Sequence, residues 1–264
     1  MPGTKRKRGM TTETGFKPSK TDALKRKQTR GRVTVPRNRL AFPQSLRTRL
    51  RYSVRTEFTL TNADAQVKTM RANDLFDPEE ALGGHQPRGF DEMMAVYGKF
   101  TVISSKLNAQ FMYEGYNGPT ETSGAAPGLN LIQTISGSQV TPPATPALPP
   151  VCCGVHTGTE KLITGPAAEQ MEKDRTSWAY LTPATGIITR SARASQKSFY
   201  GKEFTVGAEG YTGDDSTSPD KDLFYEVWAA RLDDGYSAGN VRVPCYIIVE
   251  YDCVFTDPKT LSSS

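Results

Sequence analysis

The segment VRVPCYIIVEYDCVF, residues 241–255, alternates with a period of two. Every odd position is apolar, whereas the even positions include Arg242, Glu250 and Asp252. Because successive side chains of a β-strand point to opposite faces, this pattern predicts a long strand with one buried face. A helix would spread the same apolar residues around its whole surface, so the segment restricts the chain to folds that contain a long sheet.

Other parts of the chain also have β-strand patterns. A second period-two segment lies at residues 50–60, where the apolar face consists of Leu50, Tyr52, Val54, Phe58 and Leu60. Further extended segments are predicted at residues 98–114, 151–158, 186–194 and 223–232. The two last strands, 223–232 and 241–255, are separated by a Gly-containing turn, which predicts that they pair as an antiparallel hairpin.

Helical signals are short and loops are long. Apolar residues at helical spacing predict a helix over 90–97, and a second helix is predicted over 167–175. The apolar parity changes near Ser104-Ser105-Lys106, which predicts a β-bulge or a tight turn. Residues 114–150 and 207–221 read as surface loops, the first with at most one short strand around 129–135.

These segments predict an all-β fold. They comprise roughly eight extended segments and two short helices, without βαβ alternation or an internal repeat. The expected architecture is a single eight-stranded antiparallel jelly roll, a two-sheet Greek-key sandwich with long loops and short helices. We predict a disordered basic N-terminal arm at 1–46, the jelly-roll domain at 47–258 and a flexible C-terminal tail at 259–264.

Positive charge is concentrated at the N-terminus. Residues 1–51 contain 16 Lys and Arg but only two acidic residues, whereas the rest of the chain contains 17 basic and 26 acidic residues. This asymmetry predicts a polyanionic partner, either nucleic acid or an anionic membrane surface. Clusters spread over fifty residues favour a flexible polycation that follows phosphates without reading bases. The residues predicted to bind nucleic acid are Lys5, Arg6, Lys7, Arg8, Lys25, Arg26, Lys27, Arg30, Arg32, Arg37, Arg39, Arg47, Arg49 and Arg51.

Two of these clusters also fit a nuclear-localisation signal. They consist of Lys5, Arg6, Lys7 and Arg8 and of Lys25, Arg26 and Lys27. Import and nucleic-acid packaging are not exclusive, since both use the same basic residues. A solvated tail without a partner stays open as an alternative for each cluster taken alone.

The sequence contains no pattern typical of an enzyme. His85 and His156 are the only histidines, too few for a cupin-type metal site, and no G-x-S-x-G or phosphate-binding glycine loop is present. The acidic loop around 214–222 lacks the spacing of an EF-hand. We therefore expect no catalytic residue, no metal and no cofactor.

The cysteines and the N-terminus predict a reducing environment. No apolar run is long enough to cross a bilayer, and the N-terminus lacks the apolar core of a signal peptide. The four cysteines, Cys152, Cys153, Cys245 and Cys253, lack the spacing of a zinc site. We expect them to be buried thiols.

Residues 76–111, FDPEEALGGHQPRGFDEMMAVYGKFTVISSKLNAQF, contain Asp-Pro, Gly-His-Gln-Pro, Gly-Phe-Asp, a tyrosine and Ser-Lys-Leu in that order. Together with the basic arm and the final VPCYIIVEYDCVF, this segment resembles the capsid proteins of circoviruses and related viruses with circular single-stranded DNA genomes. The resemblance implies a jelly roll and a T=1 icosahedral shell of sixty identical subunits, with the arm inside against the genome. It also implies that the turn from Gly84 to Asp91 is structural and that His85 is not catalytic.

The resemblance further implies a virion protein that is present in the host nucleus during assembly. Its expected partners are other copies of itself, the single-stranded DNA genome (host RNA in recombinant material), a host nuclear import receptor and a cell-surface receptor. A non-viral nucleic-acid-binding β-sandwich module with a basic tail stays open as an alternative. A jelly-roll enzyme or lectin is a third, for which the chain shows no converging polar cluster.

Overall fold

The structure is a computed structural model that describes residues 42–81, 84–117, 150–233 and 240–260. The chain divides into two units, Met1–Phe42 and Pro43–Ser264, and all described elements belong to the second. The described strands are β1 (Ser45–Leu60), β2 (Gln66–Arg71), β3 (Tyr97–Met112), β4 (Gly115–Asn117), β5 (Val151–Gly158), β6 (Thr176–Leu181), β7 (Ile187–Ser195), β8 (Phe224–Arg231) and β9 (Asn240–Pro258). The described helices are α1 (Phe90–Val96), α2 (Ala167–Met171) and α3 (Gln196–Tyr200).

Eight of the strands form two antiparallel sheets whose pairing is nested. The first sheet has the order β1-β9-β3-β7, with β4 added beside β9, and the second has the order β2-β8-β5-β6. The first strand therefore pairs with the last, β2 with β8, β3 with β7, and the two middle strands β5 and β6 with each other. Nested antiparallel pairing across two sheets is the arrangement of a jelly roll, so the predicted fold is confirmed.

The two longest period-two patterns pair with each other in the first sheet, where β9 is a central strand and β1 an edge strand. Strand β1 pairs with β9 without interruption from Ser45 opposite Thr256 to Leu60 opposite Val241. The odd residues of β9 from Val241 to Phe255 are buried, as the alternation predicts. On β1, Leu50, Tyr52, Phe58 and Leu60 are buried and Val54 is partly buried.

The parity change in β3 is a β-bulge, as predicted. The register against β9 shifts between Val102 and Ser104, which leaves Ile103 without a partner. Phe100 and Val102 are buried before the bulge, and Leu107, Ala109 and Phe111 are buried after it. The extra residue keeps both apolar runs on the inner face of one strand.

The prediction of a C-terminal hairpin is wrong. Strand β8 pairs with β2 and β5 in the second sheet, whereas β9 pairs with β1 and β3 in the first. All eight residues of β8 are buried, because this central strand is covered on both faces. A continuous apolar run of this kind indicates a central strand rather than one arm of a half-exposed hairpin.

Some short elements differ from the predictions. Strands β2, β4 and β6 and helix α3 were not predicted, and helix α2 ends at Met171 instead of residue 175, where Arg175 has a φ of 56°. Helix α1 ends at Val96 because Tyr97 adopts an extended conformation and begins β3. The strand expected around 129–135 and the tail from 261 lie outside the described residues.

Two apolar clusters hold the described unit together. The larger one lies between the sheets and includes residues from both, such as Phe111, Tyr225 and Tyr251. The smaller one consists of Cys152, Ile163, Ala167, Trp228 and Ala230, and it lies on the outer side of the second sheet, beneath residues of the 159–175 segment. All four cysteines are free and buried, which confirms the expectation for the thiols.

Candidate nucleic-acid interface

The predicted nucleic-acid-binding residues fall into two groups. Those from Lys5 to Arg39, including both candidate nuclear-localisation clusters, lie outside the described residues. Arg47, Arg49 and Arg51 lie on β1, the edge strand of the first sheet. All three belong to the solvent-facing side of that strand and are exposed.

The outer side of the first sheet forms a continuous surface, which we call the open face. It consists of the odd residues of β1 and β7, the even residues of β9 and the even residues of β3 after the bulge. The cross-strand register brings Arg51, Glu250, Lys106 and Arg193 into one row. Four segments that are distant in the sequence thus contribute charged side chains to one surface.

Four arginines of the open face are paired with carboxylates: Arg55 and Arg242 share Glu57, and the other two pairs lie closer to the Lys106 row. Arg47 donates a bidentate pair of hydrogen bonds to Asp252, from Nε to Oδ1 at 2.9 Å and from Nη2 to Oδ2 at 2.5 Å. Arg51 donates from Nη2 to Glu250 Oε1 at 2.6 Å. The hydrogen bond from Arg47 holds the pKa of Asp252 below its ordinary value, so the carboxylate is charged at neutral pH.

Three other basic residues of this surface are unpaired. Among the described residues, no carboxylate lies within 4.0 Å of the charged groups of Arg49, Lys106 or Arg193. All three line a concave pocket of about 560 Å³, together with the residues Ser104, Ser105, Ala194, Ser195, Ser198, Glu250, Tyr251 and Asp252. Because Glu250 and Asp252 are already neutralised by Arg51 and Arg47, the pocket presents excess positive charge beside serine hydroxyls.

Sequence reasoning missed Lys106 and Arg193. Neither belongs to a run of adjacent basic residues like those of the N-terminal segment. They become neighbours because β3 pairs with β7, and they approach Arg49 because β9 lies between β1 and β3. Only the strand order reveals this site, and the period-two patterns did not predict that order.

The two histidines have structural contacts. His85 stacks on Tyr52 with 4.4 Å between ring centroids, and its Nδ1 and Nε2 lie 2.9 and 3.1 Å from the carbonyl oxygens of Gln86 and Ser53. His156 is buried, with its Nδ1 at 2.9 Å from Glu226 Oε2. Glu226 also accepts hydrogen bonds from the backbone N–H groups of Leu162 and Ile163.

The acidic loop has a structural explanation as well. Asp214 Oδ1 accepts hydrogen bonds from the backbone N–H groups of Ser216 and Thr217, both at 2.8 Å. Across the ranges that the structure describes, no three His, Cys, Asp or Glu residues are grouped so as to hold a metal ion. No helix in those ranges has the length and apolar character to span a membrane.

Comparisons with known proteins give structural likeness only. No family model matches the chain, and no curated protein matches it. The 60-mer BFDV capsid protein aligns with 84% of this chain and 100% of its own at 8% identity and a TM-score of 0.37. A Penaeus monodon metallodensovirus capsid structure aligns with 82% of this chain and 76% of its own at 8% identity and a TM-score of 0.37.

A third solved structure, that of desmodium yellow mottle tymovirus, covers 89% of this chain and 99% of its own at 8% identity and a TM-score of 0.36. These three solved structures are all of viral proteins. Identities and TM-scores this low establish neither a relationship nor a shared function. The assignment of the jelly roll therefore depends on the strand order described above.

Proposed function

We propose that this chain is a structural, non-enzymatic viral capsid protein that assembles into a T=1 icosahedral shell of sixty subunits. In this proposal the shell packages a circular single-stranded DNA genome through the basic N-terminal arm. The observation that carries the proposal is the direct connection between a strongly basic segment and a jelly roll. The basic segment, residues 1–51, has a net charge of +14, and the sandwich begins with the edge strand β1 at Ser45.

The charge of the basic segment supports a role in packaging. Sixty copies of residues 1–51 supply on the order of 800 positive charges, which would neutralise much of the phosphate charge of a small genome by counterion release. One arm alone binds weakly, whereas sixty arms on one shell act as a multivalent surface. Because this binding is electrostatic, retention of the genome is expected to weaken as salt increases.

Exposed apolar side chains on the described unit support self-association. Phe204 is 83% exposed and Val206 is 45% exposed in the segment that connects α3 to β8, and Ile187 is 53% exposed at the start of β7. Large apolar residues that are left in solvent in a single copy are typical of surfaces that are covered in an assembly. We propose that this connection and the strand ends contribute to subunit contacts.

The nuclear and cellular partners are also part of the proposal. The clusters Lys5–Arg8 and Lys25–Lys27 fit binding by a nuclear import receptor, which would bring the chain to the host nucleus for assembly. A cell-surface receptor would bind the outside of the virion. Both partners are expectations from the function and are independent of the packaging role.

Electron microscopy of the purified full-length protein tests the assembly. The expected result is uniform, closed particles that contain nuclease-protected nucleic acid. A chain that stays monomeric in every buffer but still binds nucleic acid would contradict the capsid function and support the non-viral binding module.

Two full-length arm variants test packaging. One replaces Lys5, Arg6, Lys7, Arg8, Lys25, Arg26 and Lys27 with glutamine, and the other scrambles residues 1–41 at unchanged composition. The first is expected to form particles with less nucleic acid, whereas the scrambled arm should package normally because phosphate contacts carry no sequence information. Equal nucleic-acid content in all three proteins would contradict the role of the arm.

A further inference from the structure

We propose that the open face of the folded unit itself binds single-stranded nucleic acid, independently of the arm. In this proposal Arg49, Lys106 and Arg193 contact phosphates, and Tyr246 stacks on a base. The inference rests on the proposed function, because a packaged single-stranded genome is the polyanion that would meet this surface.

The phosphate part of the site follows from the distribution of charge. Lys106 and Arg193 are directly opposite each other on β3 and β7, so their Cα atoms are only about 5 Å apart. Among the described residues, neither has a carboxylate within 4.0 Å to offset this repulsion. An anion between the two side chains removes the repulsion, and the neighbouring hydroxyls of Ser195 and Ser198 line the same pocket.

The base part lies two rows further along the same strands. Beyond the row of Lys106 comes a row with Ile248 opposite Asn108, and then a row with Tyr246 opposite Gln110. Tyr246 and Ile248 are 45% and 38% exposed, although they lie at the centre of a sheet. Successive rows on one face are about 7 Å apart, so Tyr246 lies about 14 Å from the cationic row, a distance that a single strand of a few nucleotides can span.

The combination favours single-stranded nucleic acid over other polyanions. Aromatic side chains stack with any base, and the amides of Asn108 and Gln110 can donate to and accept from base edges. Arg55 lies opposite Tyr246 on β1, but its charge is offset by Glu57 at 3.9 Å, so the cations of the site are those of the Lys106 row and Arg49. A sulfated polysaccharide would use the cationic row but leave the row of Tyr246 and Ile248 without a base to stack on it.

The first test removes the two phosphate contacts in the full-length chain. The variant is Lys106→Ala with Arg193→Ala, and the matched control is Arg88→Ala with Lys221→Ala, which removes the same charge elsewhere on the body. Binding of a fluorescent oligothymidine to unassembled protein is measured as a function of salt. Loss of two contacts is expected to reduce the slope of log affinity against log salt by about 1.4, while the control keeps the wild-type slope.

The second test isolates the stacking contact. Tyr246→Ala is expected to weaken oligothymidine binding about tenfold, whereas Tyr246→Phe keeps the ring and the affinity. An abasic oligonucleotide of the same length should bind wild type and Tyr246→Ala equally, because it has no base to stack. If Tyr246→Ala weakened both oligonucleotides equally, or if heparin bound the open face and oligothymidine did not, the inference would be overturned.

Electron microscopy of the same proteins separates this inference from the proposed function. If wild type forms particles but the Lys106/Arg193 variant binds oligothymidine with the slope of the control, the open face is not a nucleic-acid site and the capsid function stands. If wild type does not form particles, the capsid function fails, whatever the oligonucleotide measurements give.

Discussion

The two sheets share one apolar interior, but their outer sides differ. We call the outer side of the second sheet the covered face. There, Trp228, Cys152 and Ala230 lie beneath Ile163 and Ala167 of the 159–175 segment. On the first sheet, the corresponding side is the open face, where charged residues and Tyr246 meet solvent. The covered face therefore contributes to stability, whereas the open face is exposed to solvent.

Polar contacts follow the same division. On the covered face, Glu226 and His156 are both buried, and the carboxylate accepts hydrogen bonds from the segment that lies over it. On the open face, the carboxylates of Asp252 and Glu250 contact arginines whose side chains are 63% and 69% exposed. Because removing a buried partner is far more costly than breaking an exposed ion pair, the same kind of substitution should have different consequences on the two faces.

The largest effect is expected from Trp228→Ala. The ring is fully buried, and Gly154 lies so close beneath it that an added Cβ would be 2.6 Å from ring atoms. Removing it should lower the free energy of unfolding by about 3–5 kcal/mol. Urea denaturation of the full-length chain, followed by circular dichroism, measures this loss.

The other tryptophan of the chain provides the control. Trp178 is 36% exposed on the edge strand β6, where it contacts Tyr180 with 5.3 Å between ring centroids. Trp178→Ala should cost about 1 kcal/mol or less. Equal losses of unfolding free energy in the two variants would contradict the difference between the covered face and the exposed edge strand.

Glu226→Gln should give the next largest effect. The new amide group would replace one of the two carboxylate oxygens, so it would face the backbone N–H group of either Leu162 or Ile163 with a donor, and we expect a loss of about 1–3 kcal/mol. Glu250→Gln on the open face is the control and should cost less than about 1 kcal/mol. Thermal unfolding of the two variants, measured side by side, shows whether losing the buried carboxylate lowers stability more than losing the exposed one.

The pH dependence of stability should distinguish wild type from Glu226→Gln. Burial raises the pKa of Glu226, but the hydrogen bonds from His156 and from the two backbone N–H groups outweigh this effect, and the net pKa is lowered. A lowered folded-state pKa stabilises the fold above the ordinary value near 4.5, and this contribution is lost as pH falls through the folded-state pKa. Wild type should therefore lose its advantage over Glu226→Gln in acid, and an advantage that grew on acidification would contradict the assignment.

The sequence predicted the strands better than their partners. Period-two patterns identified β1 and β9 because each has one buried and one exposed face, and the parity change identified the bulge near Ile103. The placement of β8 was wrong because its buried run carries no information about which neighbours cover it. Which strands pair in a jelly roll depends on segments that are far apart in the sequence, so the residue pattern of one strand does not reveal its partners.

The candidate site shows the same limit. Arg47, Arg49 and Arg51 were found because they continue a basic run, whereas Lys106 and Arg193 join them only through the order β1-β9-β3-β7. The carboxylates of Asp252 and Glu250 likewise became partners of Arg47 and Arg51 only through the register of β1 against β9. Composition thus predicted a polyanionic partner, whereas the surface proposed to bind it depends on the strand order.

The smallest effect on stability is expected from Asp252→Asn, which should nevertheless change binding. The side chain of Arg47 is 63% exposed, so loss of the ion pair should cost at most about 1 kcal/mol. Because Arg47 is then free to contact a phosphate, oligothymidine binding should tighten and its salt slope should steepen by about 0.7. Asp215→Asn is the control, since this carboxylate pairs with Lys259 away from the open face and its loss changes the net charge equally.

Tighter binding for both variants would show that net charge alone matters, whereas tighter binding for Asp252→Asn alone would place the interaction on the open face. The pH profile gives a second check. The pKa of Asp252 is lowered by the hydrogen bond from Arg47, so the pair persists below the carboxylate's ordinary value of 3.8 and is lost as pH falls through the folded-state pKa. Wild type should therefore approach the binding strength of Asp252→Asn only in strong acid, and an approach that is complete above pH 3.8 would contradict the lowered pKa.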